Sequence, residues 1–281
     1  MKHKTKRLST DYLNTERNSG SLKRMFLGII ESKEIIFQLA YRDFTVRYRQ
    51  SYLGYLWAIL PQLVTLSIFT FLASRRVFDM SETNMPYVVH AVWSLSLWLL
   101  FSTILLNCTN SLAQAGTLVT KVCFPKESIV IASISPSIID FIIRLLPISF
   151  IILWVDFTPS INSFWIIFIV LIVIMLALGI GLILAIINLV FKDLGNIVGM
   201  LMTFGMFLSP ILYPPPVQYP FNLINILNPF SPLLISTQEL LSGNVISHPT
   251  LLILVSIFSI VILILGLRIF SIALPKVIDN A

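Results

Sequence analysis

Charge is what this sequence has least of: only 11% of its 281 residues are Asp, Glu, Lys or Arg, against 57% hydrophobic, and the mean hydropathy is +0.90. Water-soluble domains carry about 25% charge, so an ordinary soluble protein is excluded. Histidine is scarcer still. His3, His90 and His248 have no helically spaced carboxylate partner, which leaves a polytopic membrane enzyme without the convergent acid, base or metal set it needs. The two cysteines, Cys108 and Cys123, have neither the number nor the spacing of a metal site or disulfide framework and read as packing residues, so no metal is expected. A phosphate-binding run of glycine, four residues, glycine, lysine and serine or threonine is also missing, and no nucleotide site of that kind is expected.

What fills the chain instead is five long charge-free intervals, 50–74, 83–120, 157–191, 194–238 and 240–267. About 20 mostly apolar residues cross a hydrocarbon core. The length suits one integral membrane domain with no room for a soluble catalytic domain. Eleven of the nineteen Lys and Arg residues lie before residue 50, which keeps the N-terminus in the cytoplasm. The apolar run at 25–30 is too short for a removable signal peptide. Alternating sides from there places spans near 52–73, 87–110, 129–154, 163–190, 196–212 and 250–270. Lys121, Lys126, Lys192, Arg268 and Lys276 then join the N-terminal cluster inside, only Arg75 and Arg76 fall outside, and Arg144 lies within the membrane.

The expected fold is therefore an all-α polytopic membrane protein. A cytoplasmic tail (1–30) leads into an amphipathic interface helix (31–50), a six-helix membrane domain (51–272) and a cytoplasmic tail (273–281). Along residues 31–50, Ile35, Ile36, Leu39, Ala40, Phe44, Val46 and Tyr48 fall on one broad side at helical spacing, as in a helix lying in the membrane surface. Arg42 and Arg49 on the other side suit anionic head groups, though a mere anchor reads the same way. Asp43 and Arg47 project toward the apolar side four residues apart and can form an ion pair, as a structural pair or in contact with substrate.

Pro61 and Gln62 interrupt the first span, where the amide can satisfy backbone groups freed by the kink or line a polar path. After the second span, NSLAQAGTLVTKVCFPKES reads as a helical excursion into the cytosol, either a handle for a soluble partner or a plain connector. Asp140 and Arg144, one turn apart in the third span, can neutralise each other inside the membrane; intramembrane structure or dimer packing is the role expected. From Pro210 to Pro232 the chain is too rich in proline to cross as one helix, which predicts short re-entrant or interfacial helices on the outer side between the fifth and sixth spans. Gly179/Gly181 and Gly195/Gly199 permit close helix approach, a feature common in membrane helices.

The segment QLAYRDFTVRYRQSYLGYLWAILPQ at 38–62 resembles the opening signature of permease subunits of bacterial polysaccharide-exporting ABC transporters, the O-antigen, teichoic-acid and capsule exporters. KVCFPKES at 121–128, FKDLGNIVGMLMTFGMFLSPILYP at 191–214 and NPFSPLLISTQELLSGN at 228–244 follow in that family's order. Cys123 stands where an aromatic residue is common, and Gln238–Glu239 where a basic residue often precedes the acidic one. The resemblance implies a homodimer in the bacterial cytoplasmic membrane, both termini inside, with two copies of a separate ATPase subunit that bind ATP and Mg. This chain would then hold no cofactor, touch membrane lipids and no nucleic acid, and pass a glycan linked to a polyprenyl diphosphate. On this reading Arg42, Arg47 and Arg49 meet the lipid's head group, and Gln114, Gly116, Lys121, Phe124, Pro125 and Lys126 couple to the ATPase. Tyr213, Pro214, Pro229, Phe230 and Pro232 shape the outer gate. The 20 Phe, 8 Tyr and 5 Trp suit a neutral aromatic conduit for sugars, and equally suit lipid-facing packing. A membrane enzyme that modifies envelope glycans and an ion-driven secondary transporter are the competing readings; the second is weakened by the lack of unpaired midplane carboxylates.

Overall fold

The computed structural model describes residues 30–48, 54, 56–74, 85–116, 126–213 and 227–279, and every element among them is helical. Helix α1 (Lys33–Tyr48) comes first. Its Ile36, Leu39, Ala40 and Phe44 are shielded, and it rests on two later elements, α4 (Glu127–Ser133) and α5 (Ser135–Trp154). Phe37, however, is 71% exposed, and Tyr41 one turn on is exposed with it. The helix is thus apolar on two sides, where the sequence pattern suggested one.

Helix α2 (Leu56–Ser74) carries Pro61 inside it, which removes the bond that the Trp57 carbonyl would otherwise accept. Helix α3 (Tyr87–Ala115) has 29 residues, about 43 Å at 1.5 Å per residue. It is the axis of the molecule: 83% of its membrane-crossing window is buried inside the protein, against 17% for the last helix, α9 (Pro249–Asp279). Its most extensive packing is on α6 (Ile166–Val190), which in turn packs on α9. The expected excursion after the second span begins as a plain extension of α3, whose helix runs unbroken through Asn110–Ala115 to Gly116.

Pro136 does not divide the third span. A turn at Ile134 separates α4 from α5, and the proline occupies the first turn of α5, where its missing N–H has no helical partner to lose. Glu127–Trp154 stays one apolar run. A short 3-10 helix (Ile161–Trp165), begun by Ser160 Oγ accepting the Asn162 N–H, leads into α6. Helices α7 (Leu194–Leu208) and α8 (Phe230–Ser242) complete the described set.

Four stretches, Tyr87–Ala115, Glu127–Trp154, Ile161–Val190 and Pro249–Val277, are long and apolar enough to cross a membrane. The apolar run Ile59–Ile68 in α2 is shorter, as is the 15-residue α7, which at about 22 Å falls short of a hydrocarbon core of about 30 Å. Helix α9 continues through Asp279, so residues expected as a separate tail prolong the last helix.

Glycine sets the closest crossings. A Cβ on Gly179 of α6 would lie 2.7 Å from the Leu263 nitrogen of α9, and one on Gly266 would lie 2.5 Å from the Gly179 carbonyl oxygen. A Cβ on Gly181 would lie 2.5 Å from Cys108 Cβ of α3. Both backbones can meet only because nothing projects there.

Position along α3 measures depth. Gly195, Gly199 and Gly205 of α7 lie beside Asn110, Leu106 and Trp98 in turn, so α7 runs antiparallel to α3 and reaches the Trp98 level. The Tyr87 hydroxyl donates to the Leu212 carbonyl at 3.2 Å, beyond that level. The chain then returns. Asn228 Nδ2 donates to Ser209 Oγ at 2.8 Å, and the Phe230 ring stands edge-on to Trp98 at 5.0 Å between centroids. Helix α8 starts there, about 16 Å from the Tyr87 end of α3, and rises to Leu241, whose carbonyl accepts the Ser160 N–H at 3.1 Å.

Candidate functional site

A buried apolar helix gains little by packing on others in lipid, whereas polar side chains there need protein partners. Helix α3 supplies a seam of them. Gln62 Nε2 of α2 donates to Ser96 Oγ at 2.7 Å and to the Val92 carbonyl at 3.1 Å. Trp93 Nε1 donates to Thr237 Oγ1 of α8 at 2.9 Å, and Gln238 Nε2 donates to Ser94 Oγ at 2.8 Å and to the Pro210 carbonyl at 3.4 Å. Asn107 Nδ2 donates to Ser137 Oγ of α5 at 2.8 Å. Near the Ala115 end, Asn188 of α6 donates to the Thr109 carbonyl and to Asn110 Oδ1. Helices α2, α5, α6 and α8 are thus each tied to α3 by a side chain.

The residues expected at an outer gate are spread over the half of α3 between Tyr87 and Phe101. Phe230 is 1% exposed and forms a ring cluster with Trp98 and Phe101; Pro232 is buried and Pro229 half-buried. Asn228 Oδ1 accepts the Phe230 N–H at 3.0 Å and fixes the start of α8. Tyr213 donates its hydroxyl to the Phe207 carbonyl at 2.9 Å. Pro214 lies outside the described residues. At the far end of α8, Gly243 adopts φ 78° as a left-handed cap, and the Glu239 carboxylate accepts the Ser247 backbone N–H and hydroxyl. The departure at Gln238–Glu239 therefore has a local use: one side chain holds α3, the other closes the α8–α9 loop.

At the Ala115 end, Gln114 and Gly116 are exposed at the close of α3, Gly116 with φ 49°, and Lys126 precedes α4. Lys121, Phe124 and Pro125 lie outside the described residues, as does Arg49. Arg42 Nη2 meets Asp43 Oδ1 at 2.8 Å and Nε meets it at 2.9 Å. Arg47 belongs to α1, with its side chain outside the description, so the partner described for Asp43 is its neighbour Arg42. Asp140 and Arg144 are each 4% exposed within a single protomer. They share the inward face of α5 with Ser137, Phe141 and Ile148, and Phe141 meets Trp93 of α3 edge-on.

Sequence reasoning missed Asn188, Trp93 and Trp98. Asn188 carried a signal, as the only polar side chain in the 25 residues of α6. The tryptophans resembled any other aromatic residue in an apolar span. Among the described residues no group of three or more His, Cys, Asp or Glu could hold a metal ion.

Apolar helices gathered round a polar-seamed axis define a multi-pass membrane protein. Residues 34–241 match the family model described as ABC-2 type transporter, and the chain belongs to that family. Membership implies an ATP-binding ABC partner subunit. One relative, the O-antigen export system permease protein RfbA of Klebsiella pneumoniae, is 25% identical over 241 residues, covering 85% of this chain and 91% of that protein. A second Klebsiella pneumoniae protein of the same name is 27% identical with the same coverage. The RfbA protein of Myxococcus xanthus is 27% identical over 192 residues, covering 68% of this chain and 72% of its own.

Proposed function

We propose that this chain is the permease of a bacterial exporter that moves a polysaccharide linked to a polyprenyl diphosphate across the cytoplasmic membrane. Two copies form the passage and two copies of a separate ATPase subunit drive it, holding the ATP and Mg. The observation that carries this reading is the family match over 34–241, joined to relatives named for O-antigen export that align over 91% of their length.

Six crossings fit it. Helix α2 and the α7 segment, extended to Tyr213, add two to the four long apolar stretches. The Tyr87 end of α3 is then outside, and α8, which starts at the Trp98 level and rises outward from Phe230, is a re-entrant helix that borders the exit. Helix α1 lies along the cytoplasmic interface, where Phe37 and Tyr41 dip into the acyl boundary. Arg42, Arg47 and Arg49 offer guanidinium forks to the lipid's diphosphate. The coupling surface comprises Gln114, Gly116 and the 117–126 segment. Because α1 rests on α4 and α5, a push from the ATPase there moves packed helices as rigid bodies. The Asp140–Arg144 pair serves packing inside the protomer.

The test is twofold. Purified in detergent, the protein should bring down a stoichiometric ATP-binding companion. Alanine at Arg47 should lower glycan display at the cell surface while the protein's membrane level holds. Reproducible absence of the companion, or transport by the chain alone in liposomes, overturns the reading.

A further inference from the structure

Asn188 is 1% exposed, two residues from the end of α6, and uses both ends of its amide. Nδ2 donates to the Thr109 carbonyl at 3.0 Å and to Asn110 Oδ1 at 3.2 Å; Oδ1 accepts the Gly195 N–H at 2.9 Å. Gly195 is the second residue of α7, so this side chain satisfies one of the N–H groups left open at a helix start. Asp193, at the capping position, makes no side-chain cap bond. The knot is tight as well as bonded: a Cβ on Gly195 would run into Asn110 Oδ1. One buried amide thus joins α3, α6 and α7.

Helix α7 has few other holds. It packs chiefly on α3 and α6, while Ile197, Met200, Leu201, Phe204 and Phe207 are exposed. Its far end is fastened through Gly205 against Trp98 and through the Ser209–Asn228 bond. Between α6 and α7 stands an exposed turn, Phe191–Asp193. We infer that Asn188 is a positioning residue for transport, which locks this turn and the start of α7 to α3 so that the three helices move as one body. The inference rests on the reading of the chain as an ATP-driven permease. Without the amide, the Gly195 N–H and Asn110 Oδ1 lose the partner that ties them to α6, and α7 is left hinged at its far end. Force applied at the turn then bends α7 away from α3. The loss is one of coupling, with assembly intact.

The test measures glycan exported per ATP hydrolysed by the permease–ATPase complex in proteoliposomes. Asn188→Leu should assemble and hydrolyse ATP at the wild-type rate while export per ATP falls roughly tenfold. Amide hydrogens at 195–198 should exchange faster in it. Gly195→Ala leaves the Asn188 side chain in place but displaces Asn110, to which that side chain donates, and should act the same way. Gly199→Ala, whose Cβ finds its nearest neighbour at 3.8 Å, should keep the wild-type ratio. An Asn188→Leu complex with unchanged export per ATP overturns the proposal. So does a fall in hydrolysis in step with export, which marks general damage. If Asn188→Leu never reaches the membrane, the Gly195→Ala and Gly199→Ala pair decides, and equal ratios in the two reject the role. A wild-type complex without ATP-dependent export defeats the underlying reading instead.

Discussion

Gln62 and Gln238 each donate to α3, and Trp93 of α3 donates to α8; in a membrane such bonds contribute modestly because a polar group in a partly unfolded bundle also finds partners. Trp93→Phe keeps most of the ring volume and forfeits only the 2.9 Å bond to Thr237. It should lower thermal stability in detergent by about 0.6 kcal/mol, read as a small shift in Tm. Gln62→Leu should also be mild, since Ser96 Oγ retains its own bond to the Val92 carbonyl at 2.7 Å. The Arg42–Asp43 pair is half in solvent, so Arg42→Ala should change stability by less than about 1 kcal/mol. A fall in glycan display from that variant then reports on head-group binding, and unchanged display counts against it. The polar residues of α3 were visible in the sequence. Their partners were not, because they lie 30 positions away for Gln62 and Val92 and 144 for Trp93 and Thr237, and no periodicity encodes such pairings.

Helices are legible from charge-free runs, yet the same runs hide which contacts matter. Gly179, Gly181, Gly195 and Gly199 look alike in sequence; the first three sit where a Cβ would collide, and Gly199 has room. Gly266, the counterpart of Gly179, stands alone in its stretch and drew no attention. A single methyl group at Gly179 or Gly266 should cost about 1–3 kcal/mol through overpacking, lowering Tm and membrane abundance together; wild-type abundance for both variants would contradict the crossing. Proline is not everywhere a break. Pro136 lies within the third span, yet at the start of α5 it removes no helical bond. The stretch from Pro210 to Pro232 did signal a break, and the depth of the break emerges only from Phe230 meeting Trp98. Phe230→Ala, emptying a buried ring site, should cost about 3–5 kcal/mol and loosen α8. Faster hydrogen exchange along 230–242 would be its mark, with α6 and α9 unchanged.

At the scale of the whole molecule, the number of crossings is decided by α7. Gly243 lies against Ser160, the residue before the 3-10 helix that opens α6, while Lys192 follows the other end of α6. The 25 residues of α6 separate those ends by about 37 Å, more than the hydrocarbon core. On the six-crossing proposal the chain between Leu194 and Leu241 traverses the membrane once in net, and because α7 alone is too short to do so as a helix, the segment to Tyr213 supplies the rest. Charge on its own puts α7 among the expected spans, and its 15 residues run along α3 from the Asn110 level to the Trp98 level. Cysteine labelling checks this directly. With Cys108 and Cys123 replaced by serine, a cysteine at Val245, which is 89% exposed, should react with a membrane-impermeant maleimide on intact cells. Cysteines at Lys192 and Lys276 should react only after permeabilisation. If the Val245 and Lys192 positions label from the same side, α7 does not cross, the last helix reverses its direction, and the positive-inside count that oriented the chain fails with it.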